Sequence, residues 1–184
     1  MSDNKLERMR EKTVKSTEIF RGKVLHIYND EVELPNGKHS FREIIRHCHA
    51  AAVLAINDKG EVILEDQYRY PYDDIITEIP AGKGDEGEDA IVTAARELEE
   101  ETGYRAGKME ELGLFYPSVG YTDESIHLFL ARDLTYVGQH LDDGEELDYY
   151  FVPFDELCNM IRQGKIKDGK TIAAVGYYLL KYKK

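Results

Sequence analysis

The segment Gly82–Tyr104 crowds carboxylates, with Glu97 followed closely by Glu99, Glu100 and Glu101 in a row. Like charges one helical turn apart repel each other, and the C-terminal end of a helix disfavours anions. A hard divalent cation removes this conflict, because Mg²⁺ binds carboxylate oxygens together with water and substrate phosphates. The residue types therefore indicate a site where a cation meets a phosphate-bearing substrate.

The pattern around these glutamates predicts a helix from about Glu88 to Thr102, with Gly103 as the residue that ends it. At about 100° per residue, Glu97 and Glu101 lie side by side, about 40° apart on the helical wheel. An apolar stripe beside them is expected to face the core, and it consists of Ile91, Ala94, Ala95 and Leu98. The helix would thus hold two carboxylates at the edge of its buried face.

A run of glutamates is usually a solvated helix face, which is the alternative explanation here. The spacing argues against it, because five residues separate Gly82 from Glu88 and seven more precede the segment Arg96–Tyr104. This arrangement resembles the Nudix box, G-x5-E-x7-R-E-U-x-E-E-x-G-U, where U is a bulky aliphatic residue. The one departure is Tyr104 at the last U, and tyrosine is large and apolar enough for a core position.

The resemblance implies an α/β fold, the α/β/α sandwich with a mixed sheet, and hydrolysis of a nucleoside diphosphate linked to another group. It also implies Mg²⁺ as cofactor, with Mn²⁺ as the alternative. By the family pattern, Glu97, Glu101 and the backbone carbonyl of Ala81 bind the metal. The residues that would support this site are Glu100, Arg96 and Glu88, the last two by pairing with each other.

Segments flanking the box resemble the ADP-ribose pyrophosphatase branch of the family. They are Gln67–Arg69, Glu78–Gly82 and Phe115–Glu124, the last with Pro117 as its marker. The resemblance implies that Arg69 reaches a diphosphate oxygen. It implies that Arg42 and Glu43 contact adenine, partly across a dimer interface, although an ordinary salt bridge on a strand is the alternative for that pair.

Hydrolysis also requires a group that activates water or adds a metal ligand near the phosphorus. In the resembled branch this group is a glutamate in a loop after the box. Alignment of the loop LDDGEELDYYFVP places Glu145 at that position, while Asp143 and Glu146 are close enough in sequence to compete. The alternative is an exposed acidic loop without a catalytic role.

The chain is expected to have a β-strand appendage over residues 1–45 and a Nudix domain over residues 46–184. The first 16 or so residues are polar and are expected to be poorly ordered. After them, Pro35-Asn36-Gly37 predicts a hairpin turn between two strands. The appendages of two copies of the chain are expected to contact each other, which would form a homodimer.

A competing motif is the segment Gly164–Thr171, which matches the P-loop pattern G-x4-G-K-T. A P-loop requires a preceding buried strand, whereas FDELCNMIRQ is helical in pattern. We therefore interpret Gly164 as the end of one helix and Asp168 as the cap of the next.

Composition limits the remaining functions. A net charge of −12 argues against binding to nucleic acid or to anionic membranes. No apolar run approaches the roughly 18 residues of a membrane span, and the N-terminus does not resemble a signal peptide. With only two cysteines, the simplest location is the reducing cytoplasm.

The expected function is Mg²⁺-dependent hydrolysis of ADP-ribose, a small nucleotide-sugar substrate, to AMP and ribose 5-phosphate. One alternative is another nucleoside diphosphate sugar, such as a GDP-sugar. A second alternative is a non-catalytic ADP-ribose sensor, which should have lost the box acids and gained a basic segment. Since Glu97, Glu100 and Glu101 are all present, the enzymatic interpretation is favoured.

Overall fold

The structure is a computed structural model that describes residues 3–182. Its helices are α1 (Asp3–Met9), α2 (Ala90–Thr102), α3 (Phe154–Arg162) and α4 (Gly169–Tyr182). Its strands are β1 (Lys12–Arg21), β2 (His26–Glu33), β3 (His39–Arg46), β4 (Ala50–Ala55), β5 (Glu61–Arg69), β6 (Asp74–Glu78), β7 (Ala81–Lys83), β8 (Tyr104–Phe115), β9 (Ile126–Tyr136) and β10 (Leu147–Pro153).

The described chain divides into two compact units. The first ends at His47 and also contains Ser118–Glu124, whereas the second comprises Cys48–Pro117 and the residues from Ser125 onward. The carboxylates of the Nudix-like box all belong to the second unit.

The first unit is built on an antiparallel sheet of order β1-β2-β3. The predicted hairpin is present, and Gly37 in its turn has a φ of 78°, which favours glycine. Of the residues expected to be poorly ordered, residues 3–16 contain α1 and the start of β1, and Met1 and Ser2 are outside the described residues. β1 is exposed along its whole length, so backbone pairing with β2 and the bond from the Ser16 hydroxyl to buried Asp30 hold it.

The second unit contains a sheet of order β7-β4-β9-β8 and a smaller sheet of order β10-β5-β6. β4 and β9 run parallel, and the other pairs are antiparallel, so the sheet is mixed. All six residues of β4 are buried, because helices cover both of its faces. On one side, Leu54 packs in a cluster with Leu157 of α3 and Ala174 of α4. On the other, Val53 packs with Leu98 of α2, so the predicted α/β/α sandwich is confirmed.

Helix α2 ends where the sequence predicts, with Gly103 in the left-handed conformation at a φ of 73°. It begins at Ala90, two residues after the predicted start. The predicted apolar stripe is only half correct, because Ala94 and Leu98 are buried whereas Ile91 and Ala95 are exposed. The helix is turned so that polar residues also face inward, namely Thr93, Glu101 and Thr102.

The segment that matches the P-loop pattern joins two helices, as interpreted from the sequence. Gly164 follows α3 with a φ of 69°. The Asp168 carboxylate accepts the Thr171 N–H at 2.9 Å and the Thr171 hydroxyl at 2.6 Å, which caps α4. None of the helices in residues 3–182 is both long and apolar enough to cross a membrane.

Candidate active site

The last turns of α2 bring Glu97, Glu100 and Glu101 to the start of the box, where β7 lies. Glu101 is buried, and its carboxylate accepts the backbone N–H of Ala81 at 2.9 Å. Burial raises the pKa of Glu101 well above its ordinary value, and neighbouring carboxylates, Glu97 among them, raise it further. The ionised form of this side chain therefore lacks compensating positive charge.

Arg96 ties the box loop to the helix through five hydrogen bonds. Its Nη1 donates to Glu97 and to Glu100, each at 2.9 Å. Its Nη2 donates to the backbone carbonyl of Lys83 at 2.9 Å, and its Nε and Nη2 donate to the two oxygens of Glu88. The Arg96–Glu88 pairing expected from the sequence is thus present, and one guanidinium nitrogen also serves two acids.

Glu88 is held in its ionised form. Arg96 lowers the pKa of Glu88 to about 2, with help from the backbone N–H of Asp85 and the hydroxyl of Thr93. The Thr93 hydroxyl donates at 2.8 Å, which explains why this polar residue faces inward on α2.

Glu97 lies against the backbone of Gly82. A Cβ atom at position 82 would overlap the Glu97 carboxylate, so only glycine permits this approach. Burial raises the pKa of Glu97 to about 7, despite the opposing effect of Arg96.

The loop before β10 brings Glu145 to the same site. Its Oε1 accepts a hydrogen bond from Nε2 of Gln67 at 3.2 Å, and its charge raises the pKa values of Glu97 and Glu101. The competing acids Asp143 and Glu146 are exposed.

Arg69 lies at the end of β5 and is 39% exposed. Its Nε donates to Oε1 of Glu78 at 2.7 Å, while Oε2 of Glu78 is bound by Lys170 of α4. Lys170 also pairs with Asp168 at 3.3 Å. Arg69 is therefore anchored on one edge by a buried acid that two cations share.

Glu65 of β5 is a residue of the site that the sequence analysis missed. It is fully buried, and within residues 3–182 neither of its carboxylate oxygens has a hydrogen-bond partner. Burial raises the pKa of Glu65 to about 8, and the charge of Glu78 adds to the effect. The available signal was its phase, because Glu65 lies two residues after Ile63 and so shares its face in a strand that is buried there.

Comparison with known proteins places this geometry in a family. A model of the NUDIX domain matches residues 46–175. The chain belongs to the Nudix family. The preceding residues 11–45 match the nucleoside diphosphate sugar hydrolase N-terminal domain.

Several known proteins are similar to this chain along most of their length. The chain is 43% identical to the ADP-ribose pyrophosphatase of Bacillus subtilis (strain 168), over 96% of both chains. It is 46% identical to the methanol dehydrogenase activator of Bacillus methanolicus, over 92% of this chain and 93% of that one. The ADP-ribose pyrophosphatase of Mycobacterium tuberculosis (strain ATCC 25618 / H37Rv) is 34% identical over 89% of this chain and 80% of its own.

A solved structure described as an ADP compounds hydrolase superposes with a TM-score of 0.83, covering 93% of this chain and 95% of that one. At 20% identity, this likeness shows the fold. Together with the family match, these relatives identify the chain as a Nudix hydrolase, an enzyme.

The residues of the Nudix box and the flanking acids come together in the second unit. Three other residues were predicted to bind substrate, namely Arg42, Glu43 and Pro117. Arg42 and Glu43 are on β3 of the first unit, where Arg42 pairs with Glu11 at 2.5 Å and Glu43 is exposed. Pro117 is exposed in the turn after β8. Within residues 3–182, no ion pair joins Arg42 and Glu43, and the ordinary salt bridge that was the alternative role for this pair is made by Arg42 with Glu11.

Nudix hydrolases generally use divalent metal ions, and the donors here suit such an ion. In the described residues, no three His, Cys, Asp or Glu side chains are arranged so that they could hold a metal ion together. The carboxylates of Glu97 and Glu100 are instead turned to Arg96, and that of Glu101 to the N–H of Ala81. The unpartnered oxygens of Glu65 nevertheless fit a cation, because hard cations take oxygen ligands and a buried carboxylate needs a counter-charge.

Proposed function

We propose that this Nudix hydrolase cleaves the diphosphate bond of ADP-ribose, or of a closely related nucleoside diphosphate sugar, to a nucleoside monophosphate and a sugar phosphate. The observation that carries the proposal is the cluster of buried carboxylates at the C-terminal end of α2. Burial raises the pKa values of Glu97 and Glu101, so a divalent cation that neutralises them would be bound favourably. Two similar proteins that are named ADP-ribose pyrophosphatase support ADP-ribose as the substrate.

The metal would be held by Glu97, Glu101 and the carbonyl oxygen of Ala81, with Mg²⁺ as the first candidate and Mn²⁺ as the second. When bound, the cation would neutralise and polarise the diphosphate. Arg96 would keep Glu97 and Glu100 at the loop, since its Nη1 reaches both at 2.9 Å.

The chain's own residues would then orient the substrate and the water. Glu145 would accept a proton from the attacking water, which forms a bond to phosphorus as the bridging P–O bond breaks. Its half-buried position and the bond from Gln67 favour it over the exposed Asp143 and Glu146. Arg69 would bind a diphosphate oxygen, because Glu78 fixes its Nε and leaves the guanidinium partly exposed. The products from ADP-ribose are AMP and ribose 5-phosphate.

Adenine recognition is proposed for Arg42 and Glu43, and substrate binding for the loop of Pro117, on the resemblance to the branch alone. We also propose a cytoplasmic homodimer. Its support is the apolar surface of the first unit, where side chains such as Val14, Ile19, Phe20 and Phe41 are more than half exposed. A second copy would cover such a surface. Light scattering coupled to size exclusion should then give twice the chain mass of 21.1 kDa.

The decisive experiment is a Mg²⁺-dependent hydrolysis assay on the purified chain with ADP-ribose, GDP-mannose and NADH, with products resolved by chromatography. Glu101→Gln should abolish turnover. Glu99→Gln is the matched control, because Glu99 occupies the same turn of α2 but pairs with the exposed Arg105 at 2.9 Å. AMP and ribose 5-phosphate formed fastest from ADP-ribose would support the proposal, whereas binding without cleavage by the wild type would contradict it.

Two other functions are supported by specific similarities and require their own arms of the assay. GDP-mannose pyrophosphatases of Salmonella typhimurium and related strains are 32% identical over 74% of the chain, which is why GDP-mannose is included. The similarity to the methanol dehydrogenase activator is as high as that to the first ADP-ribose pyrophosphatase. A methanol dehydrogenase assay with and without the chain tests that activity directly.

A further inference from the structure

Glu65 is the most completely buried acid of the site, and the proposed reaction gives it no role. Its relative exposure is 0%, and neither carboxylate oxygen is hydrogen-bonded to any other described residue. A buried polar group without hydrogen-bond partners destabilises the folded protein, and a buried ion without partners does so more strongly. A side chain that carries this cost in the middle of β5 requires an explanation.

The position of Glu65 on β5 directs it toward the box carboxylates. Side chains two residues apart on a strand share a face, so Glu65 lies between Ile63 and Gln67. Ile63 packs in a cluster with Leu98 of α2, and Gln67 donates to Glu145. Glu65 therefore lies between the buried face of α2 and the loop acid.

The charges around Glu65 confirm that it faces the same site. After burial, the charge of Glu65 is the largest influence that raises the pKa of Glu101. The charge of Glu145 raises the pKa values of both Glu65 and Glu101. Glu78 is the residue directly opposite on β6. Glu65 is thus one of several acids around one point, and it is the member without a hydrogen bond.

Within residues 3–182, no lysine or arginine donates a hydrogen bond to Glu65. The charges of Lys170 and Arg69 act on its pKa, but both side chains hydrogen-bond to Glu78 instead. A second explanation, a neutral carboxylic acid with a structural role, would require an acceptor for its proton. Among residues 3–182, neither oxygen of Glu65 has one.

We propose that Glu65 is a further carboxylate ligand for the divalent cations of this site, in addition to Glu97, Glu101 and the carbonyl of Ala81. A divalent cation takes several oxygen ligands and supplies the counter-charge that the protein does not provide. The inference depends on the proposed metal site at Glu97 and Glu101. It adds an acid from β5, a strand outside the box, to that site.

The test counts and titrates bound Mn²⁺ on the full chain by electron paramagnetic resonance, after treatment with EDTA and desalting. Glu65→Gln keeps the size of the side chain and removes its charge. We expect it to lose one bound Mn²⁺ or to weaken binding by about 10-fold to 100-fold. Glu61→Gln is the matched control on the same strand, because the Glu61 carboxylate is bound by Asn57, whose Nδ2 donates to it at 2.8 Å. The Glu61→Gln variant should bind Mn²⁺ as the wild type does.

Glu101→Gln separates failure of this inference from failure of the proposed function. If Glu101→Gln weakens Mn²⁺ binding and Glu65→Gln does not, Glu65 is not a ligand and only this inference is overturned. If both variants bind Mn²⁺ like the wild type, the metal site itself is wrong and both proposals are overturned.

A second readout guards against a folding defect. Melting curves with EDTA and with Mn²⁺ should show a smaller Mn²⁺-induced increase in melting temperature for Glu65→Gln than for the wild type. Glu65→Met, which is similar in volume and uncharged, should give the same reduced increase while remaining folded by circular dichroism. An undiminished increase in the folded Glu65→Met variant would overturn the proposal.

Discussion

The backbone N–H of Ala81 donates to Oε2 of Glu101 at 2.9 Å, which joins the first residue of β7 to the last turn of α2. This bond fixes a buried carboxylate beside the start of the box loop. It also places the backbone of Ala81 next to the acid with which it is proposed to share a cation. One hydrogen bond does not offset the burial of the charge, because the pKa of Glu101 remains raised.

Glu101→Gln should separate catalysis from stability. The amide oxygen of glutamine can still accept the Ala81 N–H, but it brings no charge to a cation. We expect hydrolysis of the diphosphate to fall by about 100-fold or more. The melting temperature in EDTA should stay the same or rise, because a desolvated charge has been removed. A variant that keeps its activity, or that melts well below the wild type in EDTA, would assign Glu101 a structural role instead.

Gly82→Ala should disable the site while leaving the fold intact. The new Cβ would overlap the carboxylate of Glu97, which is the end of a flexible side chain and can move aside. We therefore expect a loss of Mg²⁺-dependent activity with a nearly unchanged circular dichroism spectrum. Gly176→Ala in α4 is the control, since nothing lies within 4 Å of its added Cβ. That variant should keep its activity and gain up to about 1 kcal/mol in unfolding free energy. Equal activity of the two variants would contradict the role of Gly82.

The parts of the fold that depend on local sequence were predictable. The hairpin turn at Gly37 and the end of α2 at Gly103 follow from residue types along the chain. The pairing of Arg96 with Glu88 was implied by the resemblance to the Nudix box. The inward orientation of Thr93 depends on partners outside α2, namely Glu88 of the box loop and His49, which a helical wheel does not contain.

Two further features could not be read from the sequence because other strands create them. β1 is exposed on both faces, and its apolar residues Val14, Ile19 and Phe20 do not alternate regularly with polar ones, so its pairing with β2 provides its order. Glu65 is an acid at a position whose burial arises only when β6, β10 and α2 surround β5. The box could thus be recognised in the sequence, whereas the burial of Glu65 results from the packing of other elements against β5.

Lys170→Met should destabilise the protein strongly. Lys170 binds Glu78, and the two side chains are 11% and 3% exposed, so removing the lysine leaves a buried acid with Arg69 as its remaining partner. We expect a loss of roughly 3 kcal/mol in the free energy of unfolding, measured by urea denaturation. Adding Glu78→Gln to this variant should restore part of the loss, because the uncompensated charge is then removed.

The control for this loss is Lys167→Met, which breaks the exposed pair of Lys167 with Asp74 at 3.6 Å. An exposed pair of this kind contributes less than about 1 kcal/mol. If the two lysine variants unfold at the same urea concentration, the buried pair does not stabilise the fold as the geometry indicates.

Glu88→Gln should change how stability depends on pH on the acid side. The pKa of Glu88 is lowered to about 2 in the folded protein, against about 4.3 for glutamate in an unfolded chain. A lowered pKa contributes stability that is fully present above the unfolded value and is lost as the pH falls through the folded value. Wild type should therefore melt at a higher temperature than Glu88→Gln at pH 6, and the difference should shrink between about pH 4.3 and pH 2. Glu86→Gln, at an exposed position in the same loop, should follow the wild-type curve throughout. A constant difference between wild type and Glu88→Gln across this range would show that Arg96 does not hold Glu88 in its ionised form.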